Sequence, residues 1–198
     1  LGWPEESGVY ANEGEYRPTS IAVAPDGRFW VADGYGKSWV HEYTAERKWV
    51  RAFGVPGRED GLMRTPHGIW FDTRAERPYL TVADRENNRL QVFDLDGAHV
   101  RTIAGDLRRP CHVHESGADL VVADLAGRVT ILGADDAVIC HLGDNPDPTK
   151  RAKNGVPREE WRDGEFVSPH CARWDADGNL YVMDWLSAGR VSKLERVR

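Results

Sequence analysis

Residues 82–93 read Val82-Ala83-Asp84-Arg85-Glu86-Asn87-Asn88-Arg89-Leu90-Gln91-Val92-Phe93, two apolar runs split by a polar turn. Apolar and β-branched residues on both sides of an Asn-rich turn are what two successive antiparallel strands require. The stretch does not stand alone. Its Val-x-Asp opening recurs as Val31-Ala32-Asp33, Val122-Ala123-Asp124 and Val182-Met183-Asp184. Each copy is preceded by a proline, namely Pro18, Pro66, Pro110 and Pro169. The proline-to-aspartate gaps are 15, 18, 14 and 15 residues, and the aspartate-to-aspartate steps are 51, 40 and 60. A unit of this length cannot bury its own apolar face and must stack on its neighbours.

Reading outward from the tripeptides gives the rest of each unit. In the first copy, the run from Ser20 leads through Pro25-Asp26-Gly27 to Phe29-Trp30-Val31, and then to runs beginning at Trp39 and Trp49. Four short strands with Asp-Gly-type turns make one propeller blade. The expected fold is therefore all-β, a propeller of four-stranded blades spanning residues 1–198 as one domain. Its four blades occupy about 18–54, 65–105, 109–143 and 168–198, with an inter-blade loop at 1–17 and a long loop at 144–167. The last copy lacks its outermost strand, and Leu1-Gly2 resembles a blade ending such as Phe53-Gly54 or Leu142-Gly143. Propellers close by completing the last blade, so the expectation is a C-terminal portion of a larger ring, with upstream blades or another chain needed to close it; the alternative is a four-bladed ring whose last blade is one strand short.

Composition narrows the partners. The 198 residues are 40% hydrophobic and 29% charged, with a net charge of −6 and no Lys/Arg block, which argues against nucleic acid. No apolar run is long enough to span a membrane. Compartment is not readable. Cys111, Cys140 and Cys171 are odd in number and show no CxxC spacing, so buried reduced thiols are expected rather than a disulfide framework.

The residue after each repeat proline is Thr19, His67, Cys111 or His170. In a propeller this position opens the innermost strand, so its copies converge on the central channel. His67 and His170 are candidate metal ligands, since neutral imidazole suits zinc, although channel-lining histidines also serve simply as hydrogen-bond partners. His112 and His114 are expected bystanders. Tyr35, in Gly34-Tyr35-Gly36, is a candidate acid or base. The repeated aspartates are read as structural, each satisfying backbone N–H groups of the turn after its strand. Arg85, Glu86, Asn87 and Arg89 are expected to form ion pairs or a polar turn.

The Val82-to-Phe93 run resembles an NHL-repeat signature. Together with Ala32-Asp33-Gly34-Tyr35, Thr65-Pro66-His67-Gly68 and Ser168-Pro169-His170, the pattern resembles the peptidyl-α-hydroxyglycine α-amidating lyases and their bacterial relatives. The resemblance implies a six-bladed ring with zinc on its axis, held by one histidine from each of three alternate blades. His67 and His170 fall on two of those positions, and the third, like the family's active-site arginine, would lie upstream of Leu1. Tyr35 falls on the family's catalytic tyrosine. The activity implied is cleavage of a C–N bond in an α-hydroxyglycine-type or related small-molecule or peptide substrate. Lys37-Ser38-Trp39 and Ser168 depart from the family pattern, and the aspartate expected to help bind calcium is replaced by Cys171. Two other readings fit the scaffold: a non-catalytic NHL propeller that binds a protein or ligand, and a sugar-acid lactonase-like hydrolase. The second lacks the acidic ligands such a site needs at the four strand starts.

Overall fold

The computed structural model describes residues 2–197. The chain forms two compact units, Leu1–Ala104 and Gly105–Arg198. The first holds one sheet of β1 (Ser20–Val23), β2 (Phe29–Ala32), β3 (Val40–Tyr43) and β4 (Trp49–Phe53). A short parallel pair follows, β5 (Val55–Pro56) with β6 (Leu62–Met63). The second sheet of this unit is β7 (Pro66–Asp72), β8 (Tyr79–Asp84), β9 (Arg89–Phe93) and β10 (His99–Ile103). The second unit has a sheet of β11 (Pro110–Ser116), β12 (Asp119–Asp124), β13 (Arg128–Leu132) and β14 (Val138–Leu142), and a three-stranded sheet of β15 (Pro169–Trp174), β16 (Leu180–Asp184) and β17 (Arg190–Leu194). Every blade sheet is an antiparallel meander, and the described residues include no α-helix. The fold is an all-β propeller of NHL-type blades.

Local chemistry sets the hairpins. Gly27, Gly97 and Gly178 each take a positive φ at the end of an Asp-containing turn, a region that favours glycine. Asp94 and Asp175 accept N–H bonds from within their own turns and so close them. The middle strands are buried on both faces, which is why β2 and β12 read as near-continuous apolar runs. In the first unit Trp30, Phe53, Met63, Ile69, Leu80, Val82 and Phe93 form one core. In the second, Val121, Val129, Ile131, Phe166, Ala172 and Val182 form another. The 144–167 segment contributes Phe166 to that core, so part of the long loop is packed.

The repeated aspartates behave differently from expectation. All four reach back to the segment before their blade's first strand. Asp33 accepts from the Arg17 N–H at 2.6 Å, Asp84 from Arg64 at 2.6 Å, Asp124 from Arg108 at 3.0 Å and Asp184 from Ser168 at 2.6 Å. Asp33 alone of these bonds is joined by one of the expected kind, from Lys37 N–H in the turn after β2. The return bond runs the other way: the carbonyls of Thr65, Arg109 and Ser168 accept from Arg85, Leu125 and Trp185, the residues after the aspartates. In the last three blades the reason is that the last residue of the second strand lies opposite the repeat proline in the ladder, in the pairs Pro66–Asp84, Pro110–Asp124 and Pro169–Asp184. A short carboxylate there reaches the incoming chain.

Candidate functional site

The same register produces a bulge. In β7 the register partner of Pro66 is Asp84 and that of Gly68 is Ala83, so His67 is an extra residue in the register. Cys111 stands in the same position between Pro110 and His112, and His170 between Pro169 and Cys171. Bulges release a residue from the ladder and re-aim its side chain, and they recur beside functional sites. Thr65 and Arg109, the residues before two of these prolines, both take a left-handed φ.

Tyr35 lies in the turn after β2, and Asp33 builds that turn. Its carboxylate accepts the Lys37 N–H at 2.6 Å and its carbonyl accepts the Ser38 N–H at 3.0 Å. The Tyr35 N–H donates to the Arg17 carbonyl at 3.2 Å. Gly36 is required by close approach, because a Cβ there would overlap the Asp33 carboxylate and the Glu15 carbonyl. Gly36→Ala is expected to displace this turn and destabilise the fold by about 1–3 kcal/mol. Urea unfolding checks this, and an unchanged midpoint would show that the turn has room to spare.

The side chain of Tyr35 is half exposed, but its hydroxyl is held on two sides. Its Oη lies 3.0 Å from His67 Nε2 and receives an N–H from Arg85 at 3.0 Å. A guanidinium can only donate, so the phenol oxygen accepts from Arg85, while the direction of its bond with His67 Nε2 follows the imidazole tautomer. Arg85 also lies over the phenol ring, 5.2 Å from its centroid, and pairs with Glu86 at 3.0 Å. His67 and Arg85 are buried. Two candidates read separately from the sequence, Tyr35 and His67, are therefore one hydrogen-bonded group. Arg85 was not among the predicted site residues. Its one sequence signal is its place directly after a repeat aspartate.

His170 belongs to the second unit. It packs on Trp185, with ring centroids 6.4 Å apart, and borders a hollow of about 330 Å³ lined mainly by Met183, Trp185, Leu186 and Val191. A His170 ring nitrogen and the Cys111 sulfur lie within 4.8 Å of each other. His112 is held neutral: burial, reinforced by the charge of Arg173, brings its pKa down to about 4. His114 accepts the Trp174 N–H at 3.4 Å and packs on that indole, a structural role for a residue read as a bystander. Burial pushes the Cys171 thiol up from its ordinary value, and Cys171 sits in the ladder opposite Met183.

Comparison with known proteins places this arrangement. A family model described as NHL repeat matches residues 16–43, the first copy of the repeat. Peptidyl-alpha-hydroxyglycine alpha-amidating lyase 2 of Drosophila melanogaster is 30% identical over 169 residues, which is 85% of this chain and 39% of that protein. The chain carries an NHL repeat and is homologous to the amidating lyases. Lyase 1 of the same fly is 24% identical over 200 residues, 89% of this chain and 34% of the relative. The chain thus spans well under half the length of either lyase. Among solved structures, a nidogen/laminin complex shares the fold at a TM-score of 0.63 and 16% identity, covering 93% of this chain and 63% of the other. Virginiamycin B lyase of Staphylococcus aureus does so at 0.59 and 10%, covering 94% and 58%. Among the described residues no helix of this chain is long and apolar enough to cross a membrane.

Proposed function

We propose that this chain forms part of a zinc-dependent lyase that cleaves the C–N bond of an α-hydroxyglycine-type substrate, with Tyr35 as the acid–base residue and His67 and His170 as metal ligands. The observation that carries this reading is the Tyr35–His67–Arg85 group, in which one phenol oxygen meets a buried imidazole at 3.0 Å and a buried guanidinium at 3.0 Å.

The donor set fits such an ion: His67 and His170 both stand at the register shift that opens their strands, and neutral imidazole suits zinc. Cys171 offers no oxygen to calcium, which takes carboxylate and carbonyl ligands. A bound zinc would supply a Lewis acid that polarises the substrate hydroxyl.

The protein's own groups do the rest. With His67 Nε2 engaged elsewhere, the phenol oxygen keeps the Arg85 donor. As a phenolate, with the Arg85 charge beside it, Tyr35 takes the substrate's hydroxyl proton. As that proton leaves, the carbinol oxygen becomes a carbonyl and the C–N bond breaks. The bonding pair stays on nitrogen, which takes the proton back from Tyr35 to give the amide, and glyoxylate departs. Tyr35 is exposed enough to meet substrate, while Asp33 and Gly36 fix its turn.

Incubation with benzoyl-α-hydroxyglycine should give benzamide and glyoxylate in equal amounts. Tyr35→Phe is expected to lower kcat by roughly 10²-fold or more, the usual contribution of a positioned acid or base. No glyoxylate from metal-loaded protein would return the chain to the class of non-catalytic NHL binding propellers.

A further inference from the structure

We propose that Cys111 is a metal ligand, its thiolate binding the same ion as His170. This rests on the metalloenzyme reading and extends it to a residue that the amidating-lyase resemblance does not assign.

Cys111 occupies the bulge that His67 and His170 occupy in their own strands, one residue after the proline and facing the aspartate end of the second strand. The other two cysteines do not. Cys140 is paired in the ladder opposite Ile131 and packs against the core of its unit, and Cys171 is paired opposite Met183. Of three thiols, one stands where the repeat places imidazoles.

Distance agrees. Zinc binds sulfur at about 2.3 Å and imidazole nitrogen at about 2.1 Å, so the two atoms on one tetrahedral ion sit roughly 3.6 Å apart. The Cys111 sulfur and the His170 nitrogen lie within 4.8 Å, inside the range that a small side-chain adjustment covers. Cys111 is 2% exposed, which shields it from bulky electrophiles and suits a ligand better than a solution-facing nucleophile.

A thiolate changes what the site selects. Soft sulfur favours zinc, cobalt and cadmium over calcium and magnesium. Binding requires the S–H bond to break, with the sulfur keeping the electron pair and its proton passing to solvent, so affinity rises with pH.

The test is a cobalt titration of the full chain after chelator treatment, followed by absorption. The expected result is a near-ultraviolet thiolate-to-cobalt charge-transfer band that disappears in Cys111→Ser and persists in Cys140→Ser and Cys171→Ser. Cys111→His guards against misfolding, and should bind cobalt with visible d–d bands and no charge-transfer band. A band that survives in Cys111→Ser overturns the proposal, as does one lost in Cys171→Ser instead. Cobalt binding with d–d bands but no charge-transfer band in the unaltered chain overturns the Cys111 assignment and leaves the metalloenzyme reading standing. Failure to bind cobalt at all overturns both.

Discussion

Asp84→Ala is expected to destabilise the fold by about 3–5 kcal/mol, the range for removing one partner of a buried ion pair. Asp84 is fully buried and accepts four bonds: from the Arg64 N–H at 2.6 Å, Asn87 at 2.7 Å, Arg89 at 2.8 Å and Gln91 at 3.0 Å. Alanine would leave these donors without their acceptor and the Arg89 charge without its nearest counter-ion. Arg89 also donates to the Glu59 and Leu62 carbonyls and keeps the exposed Asp60 carboxylate at 3.3 Å, which softens the loss. The damage extends to the site. Arg64 leads directly into Pro66 and His67, so freeing its N–H loosens the strand start that aims the imidazole at Tyr35. Asp84→Asn should be nearly as harmful, because its amide NH₂ would turn a donor toward donors. Urea unfolding measures the effect, and the melting temperature should fall by about 10 °C or more for a chain of this size. A loss below about 1 kcal/mol would show that the aspartate clasp does not hold the blade together.

That clasp also marks the boundary of what was legible beforehand. Strand order follows from local signals: prolines, Asp-Gly turns and alternating apolar residues act over a few positions and are legible in the sequence. The aspartates were recognisable as structural, but the turn N–H partner expected for each is found at Asp33, while the bond all four share runs back to the incoming chain. Whether a carboxylate reaches forward or back depends on which residue lies across the ladder, and Asp84 and Arg64 are 20 residues apart. The bulges are hidden for the same reason, since His67, Cys111 and His170 are extra only relative to a partner strand. Candidate residues were visible by type and spacing, while their coupling was not. Tyr35 and Arg85 are 50 residues apart and meet through the packing of two sheets. Cys111 looked like an ordinary buried thiol because composition cannot distinguish a ladder position from a bulge.

Acidification from pH 6.5 to pH 4 is expected to cost the fold about 3 kcal/mol through His41, whose burial holds its pKa down to about 4. His41 is fully buried. Its Nδ1 accepts from the Trp49 indole N–H at 3.4 Å, so Nε2 carries the proton and donates to the Tyr10 hydroxyl at 2.7 Å, and Tyr10 in turn donates to Asp33 at 2.7 Å. A proton added to Nδ1 would face the Trp49 donor and put an unpaired charge in the core. The sign follows from counting protons. The unfolded chain protonates this histidine below pH 6.5 and the native chain does so only near pH 4, so between the two the unfolded state binds more protons. Stability is therefore complete above 6.5, falls as pH drops through the window, and levels below 4. His112, also brought down to about 4, pulls in the same direction. Asp106, held near 2 chiefly by its bond from Arg128, titrates below this range. His114, also lowered by burial, adds to the slope, while Glu42 and Asp124, raised by burial, oppose it. Unfolding free energies at several pH values should thus show a slope that His41→Gln reduces, at the cost of lower stability at neutral pH. A variant with the full native slope would place the titration elsewhere. The same network ties Tyr10 in the 1–17 segment to Asp33, the residue that builds the Tyr35 turn, so loss of stability through His41 should be accompanied by loosening of that turn.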